Sequence, residues 1–142
     1  MEKMNKVRGV IYPIPNSLTS RLFDGKTNVF AKCISHNSTK LLPKHKVIFY
    51  ASRGQKKLVG EGTIEKVEFL APDVILAKYE KTLFLGKDEF LTYVGCRNMI
   101  LTLTLKDLAK YPKPLNYYKP ITMTGQYISN EEYNALIREN GK

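Results

Sequence analysis

Cysteine is scarce in this 142-residue chain: only Cys33 and Cys96 are present, far apart in sequence. That excludes a disulfide scaffold and argues for a reducing compartment with unpaired thiols. Histidine is as rare, with His36 and His45 alone. The spacing Cys33-Ile-Ser-His36 matches half a zinc site, but no second close pair completes the four ligands that a structural zinc needs. Neither a metal nor a cofactor is therefore expected. Long hydrophobic runs are also missing, and nothing approaches the roughly 20 apolar residues that span a bilayer. Met1-Glu-Lys-Met-Asn-Lys6 lacks an apolar stretch behind it, so the expectation is a cytoplasmic protein without a secretory signal or a membrane partner. A phosphate-binding glycine loop, a dinucleotide fingerprint, HExxH and Gly-x-Ser-x-Gly are all absent.

Acid is the most informative shortage. The chain carries 23 Lys and Arg against 13 Asp and Glu, a formal charge of +10. Residues 1–60 hold twelve basic residues and two acids, whereas residues 61–142 hold eleven of each. From Gly25 to Gly60 there is no acid at all, only Lys26, Lys32, Lys40, Lys44, Lys46, Arg53, Lys56 and Lys57. A segment of one sign creates a local positive potential that favours polyanions, nucleic acid above all. A solvated lysine face that keeps the protein in solution is the competing account. With 43% hydrophobic and 25% charged residues the chain is an ordinary globular one, and its length fits a single domain over 1–142.

Residues 7–12 are β-branched and aromatic and stop at Pro13 and Pro15, which predicts a first strand. Asn16 or Ser17 then caps a short helix, with Leu18 and Leu22 on its buried face and Gly25 as its stop. Strands are expected over 28–33 and 46–52, and a turn at Arg53-Gly-Gln55 leads into 57–69 as an antiparallel hairpin. Residues 74–79 read as another strand and 87–94 as a helix closed by Gly95. Alternation at Met99, Leu101, Leu103 and Leu105 marks a strand over 98–106. Pro112, Pro114 and Pro120 leave 111–120 irregular, as a recognition loop or a structural strap. Residues 121–128 form the last strand, and Ser129-x-x-Glu132 opens a C-terminal helix with Tyr133, Leu136 and Ile137 on one face. The sum is an α+β fold: a strongly bent sheet or partly closed barrel of about six strands, with short flanking helices.

Within the hairpin, Tyr50 and Ser52 share one strand face, with Phe49 and Ala51 on the other. Tyr50 and Ser52, beside Arg53, can present a ring and a hydroxyl to an unpaired base. Alternatively both sheet faces are covered and Tyr50 is a packed ring. Gly60 and Gly62 bracket Glu61: either the strand bends to open a cleft that Glu61 faces, or it turns a barrel corner with Glu61 paired to a lysine.

The segments Lys46-Val-Ile-Phe-Tyr-Ala-Ser-Arg53, Leu58-Val-Gly-Glu-Gly-Thr-Ile-Glu65, Ile11-Tyr-Pro-Ile-Pro15, Leu22-Phe-Asp-Gly-Lys26 and Pro120-Ile-Thr-Met-Thr-Gly-Gln-Tyr127 together carry a family pattern. From about Arg8 to Leu136 the sequence resembles the archaeal domain of unknown function 365 family, part of the PUA-like superfamily that includes the ASCH and EVE domains. The resemblance implies a pseudo β-barrel and a cleft beside the helix that follows the first strand, where relatives hold RNA or a modified base. Amide-cleaving ASCH relatives carry a threonine nucleophile three residues beyond a Gly-x-Lys lysine. Counting from Lys26, that position here is Val29, and Thr27 points to the opposite strand face from Lys26. No catalytic residues are thus assembled.

The reading of the sequence is an RNA-binding module whose binding residues are Ser17, Lys26, Lys32, Tyr50, Ser52, Arg53, Lys56 and Lys57. One alternative is a hydrolase of a modified nucleoside or small amide, with Lys26 and Glu61 as its acid–base pair. Another is a basic face that docks an acidic protein.

Overall fold

The computed structural model describes residues 7–15, 19–33, 41–52, 56–95, 97–117, 121 and 125–140. Their order is β1 (Val7–Ile14), α1 (Thr19–Leu22), β2 (Val29–Lys32), β3 (Lys46–Ala51), β4 (Leu58–Leu70), α2 (Pro72–Tyr79), α3 (Lys87–Val94), β5 (Ile100–Leu115), β6 (Gln126–Ser129) and α4 (Asn130–Asn140). The strands form one mixed, unclosed sheet in the order β2-β5-β4-β3-β1-β6, with β2 and β6 at its edges. Only β1 and β3 run parallel; every other neighbouring pair is antiparallel.

The sheet is strongly coiled. β1 and β2 stand four places apart in strand order, so at about 4.8 Å per strand a flat sheet would hold them roughly 19 Å apart. Instead, the Tyr12 ring on β1 stacks on Phe30 of β2 with centroids 5.4 Å apart. Phe30 also meets Phe49 and Phe84 edge-on, at 5.7 and 5.8 Å. These rings, with Val10, Val47, Ile64, Leu101 and Leu103, fill the concave side as one buried cluster. The convex side carries a second cluster, Ile11, Ile48, Leu58, Tyr111, Leu115 and Ile128, covered by Tyr133 and Leu136 of α4. A third joins β2 to the helices, through Ile75 of α2 and Phe90 and Val94 of α3.

The strand-to-strand crossover explains where α1 sits. Chain leaving β1 must reach the far edge of the sheet to form β2, and α1 lies on that path with Leu22 buried in the concave core. Phe23, just after it, lies over β4 at Gly60. A Cβ on Gly60 would lie 2.3 Å from the Phe23 ring and 2.7 Å from the Ala109 carbonyl oxygen. Glycine is required there by close approach, and the β4–β5 register shifts on both sides of it, between Leu58 and Gly60 and between Glu61 and Thr63.

Helix α3 coincides with the predicted span, and the Ser129–Glu132 capping box is formed: the Glu132 N–H donates to Ser129 Oγ at 3.1 Å and the Ser129 N–H to Glu132 Oε1 at 3.0 Å. Three expectations need correction. Residues 74–79 are helical, not a strand. Pro72 supplies a preset φ in the first turn and Asp73 an acid beside the helix N-terminus, and these outweigh the strand preference of Val74-Ile75. The region from Tyr111 to Leu115 is regular, because β5 continues through both prolines. β2 pairs only with residues 101–104 of β5, so one side of the later strand is an edge. Pro112 and Pro114, two apart, turn their donorless nitrogens toward the same side, which an edge tolerates. The last strand is shorter than expected, Gln126–Ser129. The proposed cap at Asn16 or Ser17 lies outside the described residues. No helix among the described residues is long and apolar enough to cross a membrane.

Gly60→Ala should lower stability by about 1–3 kcal/mol through overpacking, read as a shift in denaturant midpoint with an unchanged slope. Ser129→Ala should cost about 1 kcal/mol through loss of the helix cap. An unchanged midpoint in either variant contradicts the packing described for it.

Candidate functional site

Coiling brings β1 and β2 face to face without hydrogen-bonding them, and a cavity of about 280 Å³ lies where they approach. Its walls are residues 13–15 at the end of β1, residues 30–32 of β2, residues 83–85, and Glu89 and Tyr93 of α3. The 83–85 segment is locked to β2 by backbone bonds: Val29 N–H donates to the Thr82 carbonyl at 3.0 Å and Phe84 N–H to the Val29 carbonyl at 3.0 Å. Phe30 and Phe84 are buried, so the wall is largely aromatic and apolar. The volume falls near the lower end of the roughly 300–1,000 Å³ typical of small-molecule pockets, which suits one ring system.

Three side chains bring polar groups to this wall. Lys32 is 6% exposed, and its ammonium stands 5.3 Å from the centre of the Tyr12 ring. Burial lowers its pKa from the usual lysine value. The Tyr93 hydroxyl accepts the Cys33 N–H at 3.0 Å, and burial of that end pushes its pKa up to about 12. Glu89 Oε1 accepts both the Arg21 guanidinium at 2.5 Å and the Gly86 N–H at 2.9 Å. The Arg21 hydrogen bond holds the Glu89 carboxyl below the ordinary carboxylate range.

The residues expected from sequence are divided by the sheet. Lys32 lines the cavity. Tyr50 points to the convex side and packs, half-buried, against the Ile48–Leu58–Tyr111 cluster. Ser52 lies next to the cavity wall but is committed to the fold: its N–H and its hydroxyl both donate to the Ile14 carbonyl, at 2.9 and 3.0 Å. Through that contact the hairpin tip with exposed Lys56 and half-buried Lys57 adjoins the β1 end of the cavity. Lys26 is exposed after α1. Ser17 and Arg53 lie outside the described residues. Lys44, exposed, sits before β3, and Lys46 begins that strand, so both lie at its opposite end from Lys56 and Lys57. Phe84, Glu89 and Tyr93 were not anticipated. The only sequence signal for them is the apolar triplet Leu83-Phe-Leu85, too short to assign to a strand or a helix.

Glu61 is enclosed on the convex face. It accepts Tyr111 Oη–H at 2.9 Å and Tyr133 Oη–H at 2.8 Å, and pairs with Lys46 Nζ at 3.3 Å. Lys46 also donates to Thr63 Oγ1 at 2.8 Å, and the Arg8 guanidinium lies 5.1 Å from the centre of the Tyr133 ring. Burial and the bond to Glu61 raise the pKa of both tyrosines, which stay neutral donors. Phe23, three residues before Lys26, packs on the Gly60 side of β4, while Glu61 departs from the other. The structure does not bring Lys26 and Glu61 together as an acid–base pair. What Glu61 does is tie α4 and β5 to β4. Glu61→Ala strands two buried hydroxyls and an ammonium and should cost about 3 kcal/mol of stability; Tyr133→Phe should cost about 1 kcal/mol. Thermal melts check both, and an unchanged melt for Glu61→Ala would contradict this role.

Comparison with known proteins agrees with this architecture. An ASCH protein of Zymomonas mobilis superposes with a TM-score of 0.80 at 14% identity, over 92% of this chain and 94% of its own. The N-terminal domain of Staphylothermus marinus McrB superposes with a TM-score of 0.56 at 19% identity, over 96% and 98%. These likenesses establish the fold as the PUA-like one of ASCH domains. In sequence, the uncharacterized protein MJECS03 of Methanocaldococcus jannaschii is 35% identical over 106 residues, which span 66% of this chain and 98% of that protein. The profile of the domain of unknown function DUF365 matches residues 7–130, and the chain belongs to that family.

Proposed function

We propose that this protein is a single-domain RNA-binding module that holds one unpaired base in the cavity between β1 and β2, with basic side chains beside it contacting phosphates. The observation that carries this reading is the cavity itself: a ring-sized space of about 280 Å³, walled by Phe30 and Phe84, with the buried Lys32 among its lining residues. Aromatic faces stack on any base, and such stacking contributes about 1–3 kcal/mol per base. The PUA-like resemblance implies a cleft beside the helix that follows the first strand; that helix, α1, lines a separate cavity of about 310 Å³ through Thr19 and Ser20, and reaches this one through the Arg21–Glu89 ion pair. The charge supports this reading too. Ser52, whose N–H and hydroxyl bond the Ile14 carbonyl at the cavity wall, belongs to the same hairpin as Lys56 and Lys57, so a backbone leaving the pocket on that side would run toward these cations.

The module acts by binding. Its two clusters of ionisable groups do different work: Lys32 faces the cavity, whereas Glu61 with Lys46, Tyr111 and Tyr133 is spent on holding α4 against the sheet.

Fluorescence anisotropy with a short single-stranded RNA tests the proposal. Affinity should fall with salt at a log–log slope of about −0.7 per neutralised phosphate. Replacing Lys56 and Lys57 by Gln should flatten that slope by up to about 1.4 in all, two phosphates' worth. Lys32→Met should weaken binding while leaving the slope nearly unchanged. Absence of binding to any single-stranded RNA at low salt, or binding indifferent to salt, overturns the reading.

A further inference from the structure

Where β2 borders the cavity, its main chain stops short of a full set of partners. The Asn28 carbonyl accepts the Leu105 N–H of β5 at 2.8 Å. Strand alternation therefore turns the main-chain groups of Phe30 and Lys32 toward β5, and those of Val29, Ala31 and Cys33 away from it. Two of these three outward positions are engaged. The Val29 N–H donates to the Thr82 carbonyl and the Val29 carbonyl accepts the Phe84 N–H, which makes one parallel rung with the segment around Leu83. The Cys33 N–H goes to the Tyr93 hydroxyl. One rung further, a parallel ladder would pass the Ala31 N–H to the Phe84 carbonyl and the Gly86 N–H to the Ala31 carbonyl. The Gly86 N–H instead donates to Glu89 Oε1 at 2.9 Å, where α3 begins. The start of α3 takes the chain off the ladder after a single rung, and the cavity lies where the two segments part, with Ala31, Phe84 and Leu85 in its wall. Among the described residues, none receives the Ala31 N–H or donates to the Ala31 carbonyl. Ala31 is nonetheless buried, and buried main-chain groups are rarely left unpaired.

Resting on the base-pocket reading above, we infer that the base takes the place of the missing rung: a ring edge with a donor and an acceptor side by side bonds the Ala31 carbonyl and N–H, between the apolar walls of Phe30 and Phe84. The N–H and the carbonyl of one strand residue point the same way. They complement an amide-like edge such as the ring N–H and carbonyl of uracil, or an amino group beside a ring nitrogen as in cytosine and adenine. Main-chain recognition of this kind does not choose among unmodified bases. It rejects a base alkylated on that edge, because the Ala31 carbonyl then meets a methyl group in place of a donor, and a polar site discriminates strongly against a ligand that leaves its groups unpaired. The ligand class is an unpaired base with its hydrogen-bonding edge free.

The direct test is a competition titration of the intact protein with oligouridylate and an oligomer of N3-methyluridine of equal length, at one fixed salt concentration. Equal phosphate counts cancel the electrostatic contribution, so the ratio of the two affinities reports the ring edge. Oligouridylate should bind about tenfold tighter, in the range a paired hydrogen-bond contact to a base gives. Ala31→Pro removes an N–H on the side away from β5, where an edge strand tolerates proline; it should weaken oligouridylate binding, with folding checked by a melt. Amide hydrogen exchange reads the same group in the unsubstituted protein: the Ala31 N–H should exchange faster than those of Phe30 and Lys32 when free, and slow when oligouridylate is bound. Should Ala31→Pro not fold, the affinity ratio and the exchange still decide. Equal affinities, a preference for the methylated oligomer, a folded Ala31→Pro that binds as tightly as the unsubstituted protein, or an Ala31 amide indifferent to bound oligouridylate would each overturn the main-chain inference while leaving the base pocket standing. Failure to bind either oligomer would remove both.

Discussion

Stacking of Tyr12 on Phe30 is the contact on which the rest of this structure depends. It joins two strands that the hydrogen-bond ladder leaves four places apart, and it does so with side chains alone. Once the sheet is coiled tightly enough for those rings to meet, Phe49 and Phe84 complete an aromatic core and β2 lies opposite β1. The sheet does not close at that seam. A backbone ladder there would fill the gap, whereas a ring-to-ring contact leaves the space that becomes the cavity.

The convex face depends on a different interaction. Glu61 receives two tyrosine hydroxyls and a lysine, and thereby joins three elements: β4, β5 and α4. A buried carboxylate held by such partners is a specific fastener, since any other packing of α4 would strand it. The hydrocarbon contacts of Leu136 with the same cluster supply area without direction. Among the described residues that line the cavity, Glu89 is the one carboxylate, and it pairs with Arg21.

Much of this was legible in the residues, and what was not has physical reasons. Alternation in 46–52 assigned Phe49 and Tyr50 to opposite faces, and the structure places them so. Alternation cannot say which face is concave, and that alone decides which of the two residues shares a side with the cavity. Ser129 and Glu132 announced a helix start because a capping box is local in sequence. Residues 74–79 misled because Val74-Ile75-Leu76 matches a strand, while the signals that override it, Pro72 and Asp73, precede it by only one or two positions. The prolines of 111–115 misled because their cost depends on whether a neighbouring strand needs their missing N–H, which is a matter of topology. The cavity was the least legible part: Lys32 and Tyr93 are remote in sequence, and only the coil of the sheet and the Val29–Phe84 backbone bond bring them to one wall. The charge split, by contrast, was plain in composition. Its spatial meaning was not, because Lys46 is used by Glu61 and Lys32 lines the cavity, while Lys56 and Lys57 stay near the surface.

Amide chemical-shift mapping during titration with a short single-stranded RNA tests the central claim most directly, because it reports where on the molecule a base goes. The account predicts that the largest changes fall on residues 30–32 and 83–85 and on α3 around Tyr93, with smaller, salt-sensitive changes at Lys56 and Lys57. Changes concentrated on the convex face, around Tyr50, Tyr111 and Tyr133, with the cavity residues unmoved, would contradict it.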